Sequence, residues 1–219
     1  MKAIKILVLE SKDSSINKIV EILKNSFQVE ICVSNDEFLD HIYNNIYDLY
    51  LININEKNLP RIELIKLLND YQDLTMKLVV ASIFDIVKPS FLSGCDECII
   101  KSIDEVEIIL RVKALIRRQF RVYTDSIYLT KNIEYEIFNK RVLLNKVDAK
   151  LGSKAICLLD YLLKYRGHFV STNSLEKSIY PVNSSSKNSS IRFHIFKLRK
   201  LIGEELIISH RNYGYKIDI

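Results

Sequence analysis

The side chains best suited to chemistry in this 219-residue chain gather in one stretch, Ser189 to Ile202. At about 100° per residue, Ile191, Ile195, Leu198 and Ile202 share one stripe of a predicted helix, while Phe193, Phe196, Lys197 and Lys200 fall on the opposite side. Arg192 and Arg199 add further charge. Basic residues on a helix ordinarily form a solvated face, but here two large aromatics share that face and nothing in the helix itself buries them. A groove of nucleic acid would: Arg and Lys bind phosphates or the acceptor edge of guanine, and an aromatic ring can lie against thymine methyls.

Other reactive groups are sparse. Cys95 and Cys98 form a single Cys-x-x-Cys, short of the four ligands of a zinc site and leading into a strand rather than starting a helix, so packing with Cys98 buried is the expected role. His41 and His168 are isolated. His210, beside Arg211, suits a phosphate contact or a plain turn position equally. No glycine-rich phosphate loop, Ser/His/Asp set or paired carboxylates occurs, so neither catalysis nor a cofactor or metal is expected.

Charge divides the chain. Residues 1 to 120 hold 15 Lys and Arg against 18 Asp and Glu, a net −3; residues 121 to 219 hold 17 against 9, a net +8, so that the whole is +5. A basic C-terminal half suits a polyanionic partner, and the acidic half argues against a general polycation. Four cysteines without a charged-then-apolar leader point to a reducing, cytoplasmic setting, and no apolar run approaches the ~18 residues needed to span a membrane.

Two domains must position these groups. In the first, Ile4–Leu9, Val29–Val33, Leu49–Ile54, Leu78–Ser82 and Cys98–Lys101 read as strands. Between and after them lie amphipathic helices, one facing inward through Ile16, Ile19, Val20 and Leu23, another through Phe38, Leu39 and Ile42. A third uses Ile62, Leu64, Ile65, Leu67 and Leu68, and the last, Asp104–Arg118, uses Val106, Ile109, Leu110 and Ile116. Asp13, Ser14 or Ser15 is the expected cap of the first helix and Asn35 or Asp36 of the second. Pro89 predicts a short or remodelled fourth helix. Five alternating βα units predict an open, doubly wound parallel sheet whose functional residues lie at the strands' C-terminal ends: Glu10, Ser11, Asn53, Ser82 and Lys101.

A polar linker, Gln119 to Asp125, leads to a second domain over residues 126–219. Short β runs at Ile127–Leu129, Glu134–Ile137, Arg141–Leu144 and Lys146–Lys150 form a small antiparallel sheet. A helix capped by Ser153 follows, with Ile156, Leu159, Leu162 and Leu163 inward and Arg166-Gly167 at its end. A second starts at Ser171 or Thr172. After the polar loop Asn183–Ser190 comes the basic helix, then a hairpin turning near Asn212.

On Lys5-Ile6-Leu7-Val8-Leu9-Glu10, Tyr47-Asp48-Leu49, Gly94-Cys95-Asp96-Glu97 and the Arg111–Arg118 helix end, the first domain, residues 1–118, resembles over roughly residues 3 to 119 the receiver domain of bacterial two-component response regulators. On Gly167-His168-Phe169-Val170-Ser171, Phe193-His194-Ile195 with Leu198-Arg199-Lys200, and Arg211 with Gly214-Tyr215, the second domain resembles the winged-helix effector domain of the OmpR/PhoB subfamily. The receiver resemblance implies a phosphorelay acceptor site, but Ser11 stands where a second acid is usual and Asn53 where the phosphoacceptor Asp belongs. An amide cannot form an acyl phosphate, and Glu10 alone makes a poor magnesium site. Phosphotransfer is therefore not expected.

The resemblance further implies a homodimer through the receiver, by way of Asp96, Glu97, Glu107, Arg111 and Lys113. It implies that Ser190, Phe193 and Lys197 face bases, with Ser189 and His194 near phosphate and Arg211 in the minor groove; Arg192, Arg199 and Lys200 complete the DNA-binding set. Promoter DNA is the expected partner, RNA polymerase a further one, and the expected function is phosphorylation-independent transcriptional regulation. The alternative is a redox- or partner-responsive module with DNA binding secondary.

Overall fold

The computed structural model describes residues 3–10, 17–101, 104–180 and 189–219. It divides into two compact units, Met1–Arg118 and Gln119–Ile219, so the split of charge, −3 and +8, is also a split between units.

The first unit is a five-stranded sheet of β1 (Lys5–Leu9), β2 (Gln28–Cys32), β3 (Leu49–Ile54), β4 (Met76–Ala81) and β5 (Glu97–Ile100), in the order β2-β1-β3-β4-β5. Every pairing is parallel. All six residues of β3 are buried, as a central strand covered on both faces requires. The helices are α1 (Asn17–Ser26), α2 (Asn35–Asn44), α3 (Arg61–Asp70), α4 (Val87–Leu92) and α5 (Glu105–Gln119). Ile19, Val20, Leu23, Phe38, Leu64, Ile65 and Leu68 enter the core as the periodicity predicts.

Several details depart from the sequence reading. Asn35 and Asp36 lie inside α2, and the cap is Ser34, whose hydroxyl accepts the Glu37 amide at 3.1 Å. Leu67 is exposed. In α5 the buried stripe is Ile108, Val112, Leu115 and Ile116, whereas Val106 and Leu110 are more than half exposed. The run Val106 to Leu110 is nearly all apolar, so two helical stripes match the pattern, and only packing on the sheet selects between them. Pro89 falls in the first turn of the six-residue α4, where its missing N–H has no intrahelical partner to lose. Residues 11–16, with Ser11, Ile16 and the expected cap Asp13, Ser14 or Ser15, lie outside the described residues.

The second unit opens with an antiparallel sheet of β6 (Ser126–Tyr128), β7 (Ile133–Glu136), β8 (Arg141–Leu144) and β9 (Val147–Asp148), in that order. Asn145 and Lys146 both take positive φ, 49° and 66°, the two-residue turn that matches strand twist. Helices α6 (Ser153–Lys164), α7 (Thr172–Ile179) and α8 (Ser189–Ile202) precede the hairpin β10 (Ile207–His210) and β11 (Gly214–Ile217). Ser153 is the first residue of α6 rather than its cap; that position is Gly152, which offers no side-chain bond. Within the stretch expected as a polar linker, Phe120 is buried against Tyr135, and Arg166 donates to the carbonyls of Phe120 and Arg121.

Candidate nucleic-acid interface and receiver cleft

Helix α8 is amphipathic in the sense its sequence demands. Ile191, Ile195, Leu198 and Ile202 are at most 2% exposed, and each fully buried aliphatic side chain of this size contributes about 1.5–3 kcal/mol. That anchorage leaves Phe193 and Phe196 turned outward, 54% and 64% exposed. Lys197 places its ammonium 4.4 Å from the centroid of Phe193, a cation–π contact that holds both on the outer face. Arg192 and Lys200 are exposed as well. The side chains of Ser189 and Ser190 lie outside the described residues.

Two members of the predicted set sit differently from the rest. Arg199 donates through Nε and Nη2 to the Ile207 carbonyl at 3.0 and 2.5 Å, and through Nη2 to the Ser209 hydroxyl at 3.2 Å. It braces α8 against β10. His194 is half-buried with Nδ1 enclosed and without a hydrogen-bond partner. Burial first, then the charges of Lys154 and Lys197, hold its imidazole below the ordinary value.

The hairpin is positioned by its backbone. Val170 and Tyr215 exchange amide bonds of 2.8 and 3.0 Å, adding a short third strand to the hairpin. Gly214 makes this possible: its φ is +98°, and a Cβ there would lie 2.0 Å from the Val170 carbonyl oxygen. At the tip, Arg211 is exposed and its carbonyl accepts from His210 Nδ1 at 2.6 Å. The His210 ring packs on Tyr213 and Phe169, centroids 4.7 and 5.7 Å away. A groove of about 510 Å³ between α8 and the hairpin is lined by Arg192, Ile195, Phe196, Arg199, Glu204 and Tyr215.

At the C-terminal edge of the first unit's sheet, Asn53 and Glu10 are both buried and meet directly, Asn53 Nδ2 donating to Glu10 Oε1 at 2.6 Å. Ser82 is half-buried and Lys101 exposed. The sequence reading missed Arg61, which is buried beside them. Its guanidinium donates to the carbonyls of Asn53 at 2.7 Å, Glu10 at 2.6 Å, Leu9 at 3.2 Å and Val33 at 3.4 Å. A signal was present: a cation in the first turn of a helix opposes the macrodipole and needs a reason to be there. As magnesium ligands these residues do not fit, offering one carboxylate already engaged by an amide, with a fixed cation alongside.

The predicted pairing residues on β5 and α5 bond within the chain. Arg111 donates to Glu107 at 2.6 and 2.8 Å and approaches Glu97 at 3.4 Å, while Asp96 accepts the Lys77 amide at 2.7 Å; Lys113 is half-buried. Cys95 is buried and Cys98 only half-buried, the reverse of the expected emphasis. Burial pushes the two thiols up to about 12 and about 11, away from the thiolate that redox chemistry needs. Among the described residues, no group of three or more His, Cys, Asp or Glu could hold a metal, and no helix is long and apolar enough to cross a membrane.

In this chain a parallel five-stranded α/β unit is followed by a winged helix. Residues 146–217 match the family described as transcriptional regulatory protein, C terminal. Over 147 residues the chain is 30% identical to the transcriptional regulatory protein PmrA of Pectobacterium parmentieri, a match covering 67% of this chain and 66% of that protein. Against the transcriptional regulatory protein CrdR of Helicobacter pylori, identity is 25% over 218 residues, 98% of each. Among solved structures, the response regulator DrrB of Thermotoga maritima, an OmpR/PhoB homologue, aligns over 99% of both chains with 16% identity and a TM-score of 0.46. The chain is a response regulator of the OmpR/PhoB type.

Proposed function

We propose that this protein is a sequence-specific DNA-binding transcriptional regulator that works without aspartyl phosphorylation and binds promoter DNA as a homodimer. The observation that carries the reading is the outer face of α8, where Phe193, Phe196 and Lys197 stand exposed above a fully buried aliphatic stripe. Lys197 and Phe193 meet base edges, Arg192 and Lys200 meet phosphate, and Arg211 at the hairpin tip enters the minor groove, where narrow A·T-rich sites attract arginine. Arg199 serves the same surface by fixing the hairpin to the helix.

Independence from phosphorylation is supported by Asn53, a carboxamide in the acceptor position with its nitrogen committed to Glu10. The dimer forms through α4, β5 and α5. Phe91, Leu92, Val106 and Leu110 on those helices are exposed, supplying apolar area that charged pairs alone, worth ~0–1 kcal/mol at a surface, do not. RNA polymerase is a further partner of the promoter-bound dimer. The raised thiols of Cys95 and Cys98 give the redox alternative no support.

The test is binding to genomic promoter fragments without phosphodonor or magnesium, comparing wild type with Lys197→Ala and Arg211→Ala, with sedimentation of wild type and Leu110→Glu alongside. Selective binding that Lys197→Ala weakens by roughly fivefold or more, as loss of a base contact worth ~1–3 kcal/mol requires, and a wild-type dimer that Leu110→Glu dissociates, are expected. Binding indifferent to both DNA-face substitutions, or a stable phosphoryl group mapped on the wild-type chain after exposure to acetyl phosphate, overturns the corresponding part of the reading.

A further inference from the structure

Arg61 occupies a costly position. It is 5% exposed, and burying a guanidinium requires several kcal/mol of compensation from partners. Four carbonyls supply part of it, and they belong to three strand ends: Leu9 closes β1 and Glu10 follows it, Val33 follows β2, and Asn53 lies in β3. The negative charge of Glu10 adds to them. Burial lowers the Arg61 pKa, and Glu10 is the first of the charges that oppose this. Among the buried described groups at this edge, Glu10 is the anion, Arg61 the cation, and Asn53 carries no charge.

We propose that Arg61 is an internal cation performing the charge-balancing task a divalent ion performs in a metal-dependent acyl-phosphate site, so that the chain itself closes the cleft to magnesium and to phosphoryl groups. The inference rests on the reading of this receiver as phosphorylation-independent. It goes further, because it makes the block double: restoring the acceptor carboxylate is not enough while Arg61 remains. A carboxylate at position 53 would stand on the residue whose own backbone carbonyl Arg61 holds at 2.7 Å, so the guanidinium's fixed charge would compete there with a hydrated dication. The same fork ties the ends of β1, β2 and β3 together.

Manganese(II), a magnesium surrogate whose free form is counted by electron paramagnetic resonance, would be titrated into full-length wild type, Arg61→Met, Asn53→Asp and the double variant. Each would also be exposed to acetyl phosphate with magnesium and weighed intact. Wild type and Asn53→Asp are expected to leave the metal free. The double variant should bind it at least about tenfold more tightly than Asn53→Asp, since affinity for such ions follows the net charge of the ligands. Equal affinity in those two variants, or tight binding by Asn53→Asp alone, overturns the proposal. Should Arg61→Met not fold, Arg61→Gln, which keeps N–H donors for the strand-end carbonyls but no charge, takes its place in the same titration, and a rise in the melting temperature of Asn53→Asp with magnesium, which an ion binding the native state produces, overturns the lock. Phosphoryl uptake by the wild-type chain would instead sink the phosphorylation-independent reading, while the manganese titration still judges Arg61 by itself.

Discussion

His194 shows how a single side chain on α8 can report whether the DNA-binding face has been assigned correctly. Its imidazole is held below the ordinary 6.5 by burial and by Lys154 and Lys197. The unfolded chain therefore takes up the proton more readily than the folded one. His194 costs the fold nothing above 6.5, and stability is lost as pH falls through that value toward the depressed one. Thermal melts across that range should show an acid-side loss that His194→Gln removes. If His194 lies near a phosphate, DNA binding must raise its pKa, and affinity should strengthen as pH falls over the same interval; affinity flat in pH would return His194 to a purely structural role. Phe193 and Phe196 were legible from periodicity alone, because exposure follows once the opposite stripe is buried. Arg61 and Arg199 were not, because their partners are carbonyls brought together by tertiary structure, and a carbonyl leaves no mark in a sequence.

Among the elements, the hairpin is the most exacting. Gly214 joins a positive φ to an approach of Val170 that excludes any Cβ. Gly214→Ala should therefore cost about 1–3 kcal/mol, from backbone strain and displacement of the Val170–Tyr215 pairing. The loss is measurable as a lowered melting temperature and as faster amide exchange at Val170 and Tyr215; unchanged exchange would mean that the bridge is dispensable. Strands and most helices were legible to within a residue or two, since alternation and the 3.6-residue period are local properties. The inward face of α5 was misread for the complementary reason: with apolar residues on two sides, only the sheet beneath it selects Ile108 and Val112 over Val106 and Leu110. The rejected stripe is what the proposed dimer would cover.

At the scale of the whole chain, the order of five βα units followed by a sheet, three helices and a hairpin could be read from the sequence, because most elements carry a helical or strand period of apolar residues and turn residues separate them. The composition also predicts behaviour on DNA. Neutralising exposed acids of the first unit, as in Asp40→Asn/Glu63→Gln/Asp70→Asn, should raise affinity for random-sequence duplex at low salt while leaving the promoter contacts untouched, so the ratio of specific to nonspecific binding falls. Competition binding across a salt series checks this, and an unchanged ratio would count against it. The division of charge between the units, −3 and +8, then has a bearing on search time. Nonspecific DNA outnumbers any target by about 10⁶–10⁹ sites, and a chain basic throughout would linger on each of them. With the net positive charge confined to the unit proposed to read bases, a collision led by the acidic unit should end in release, so that residence time is spent where recognition can occur.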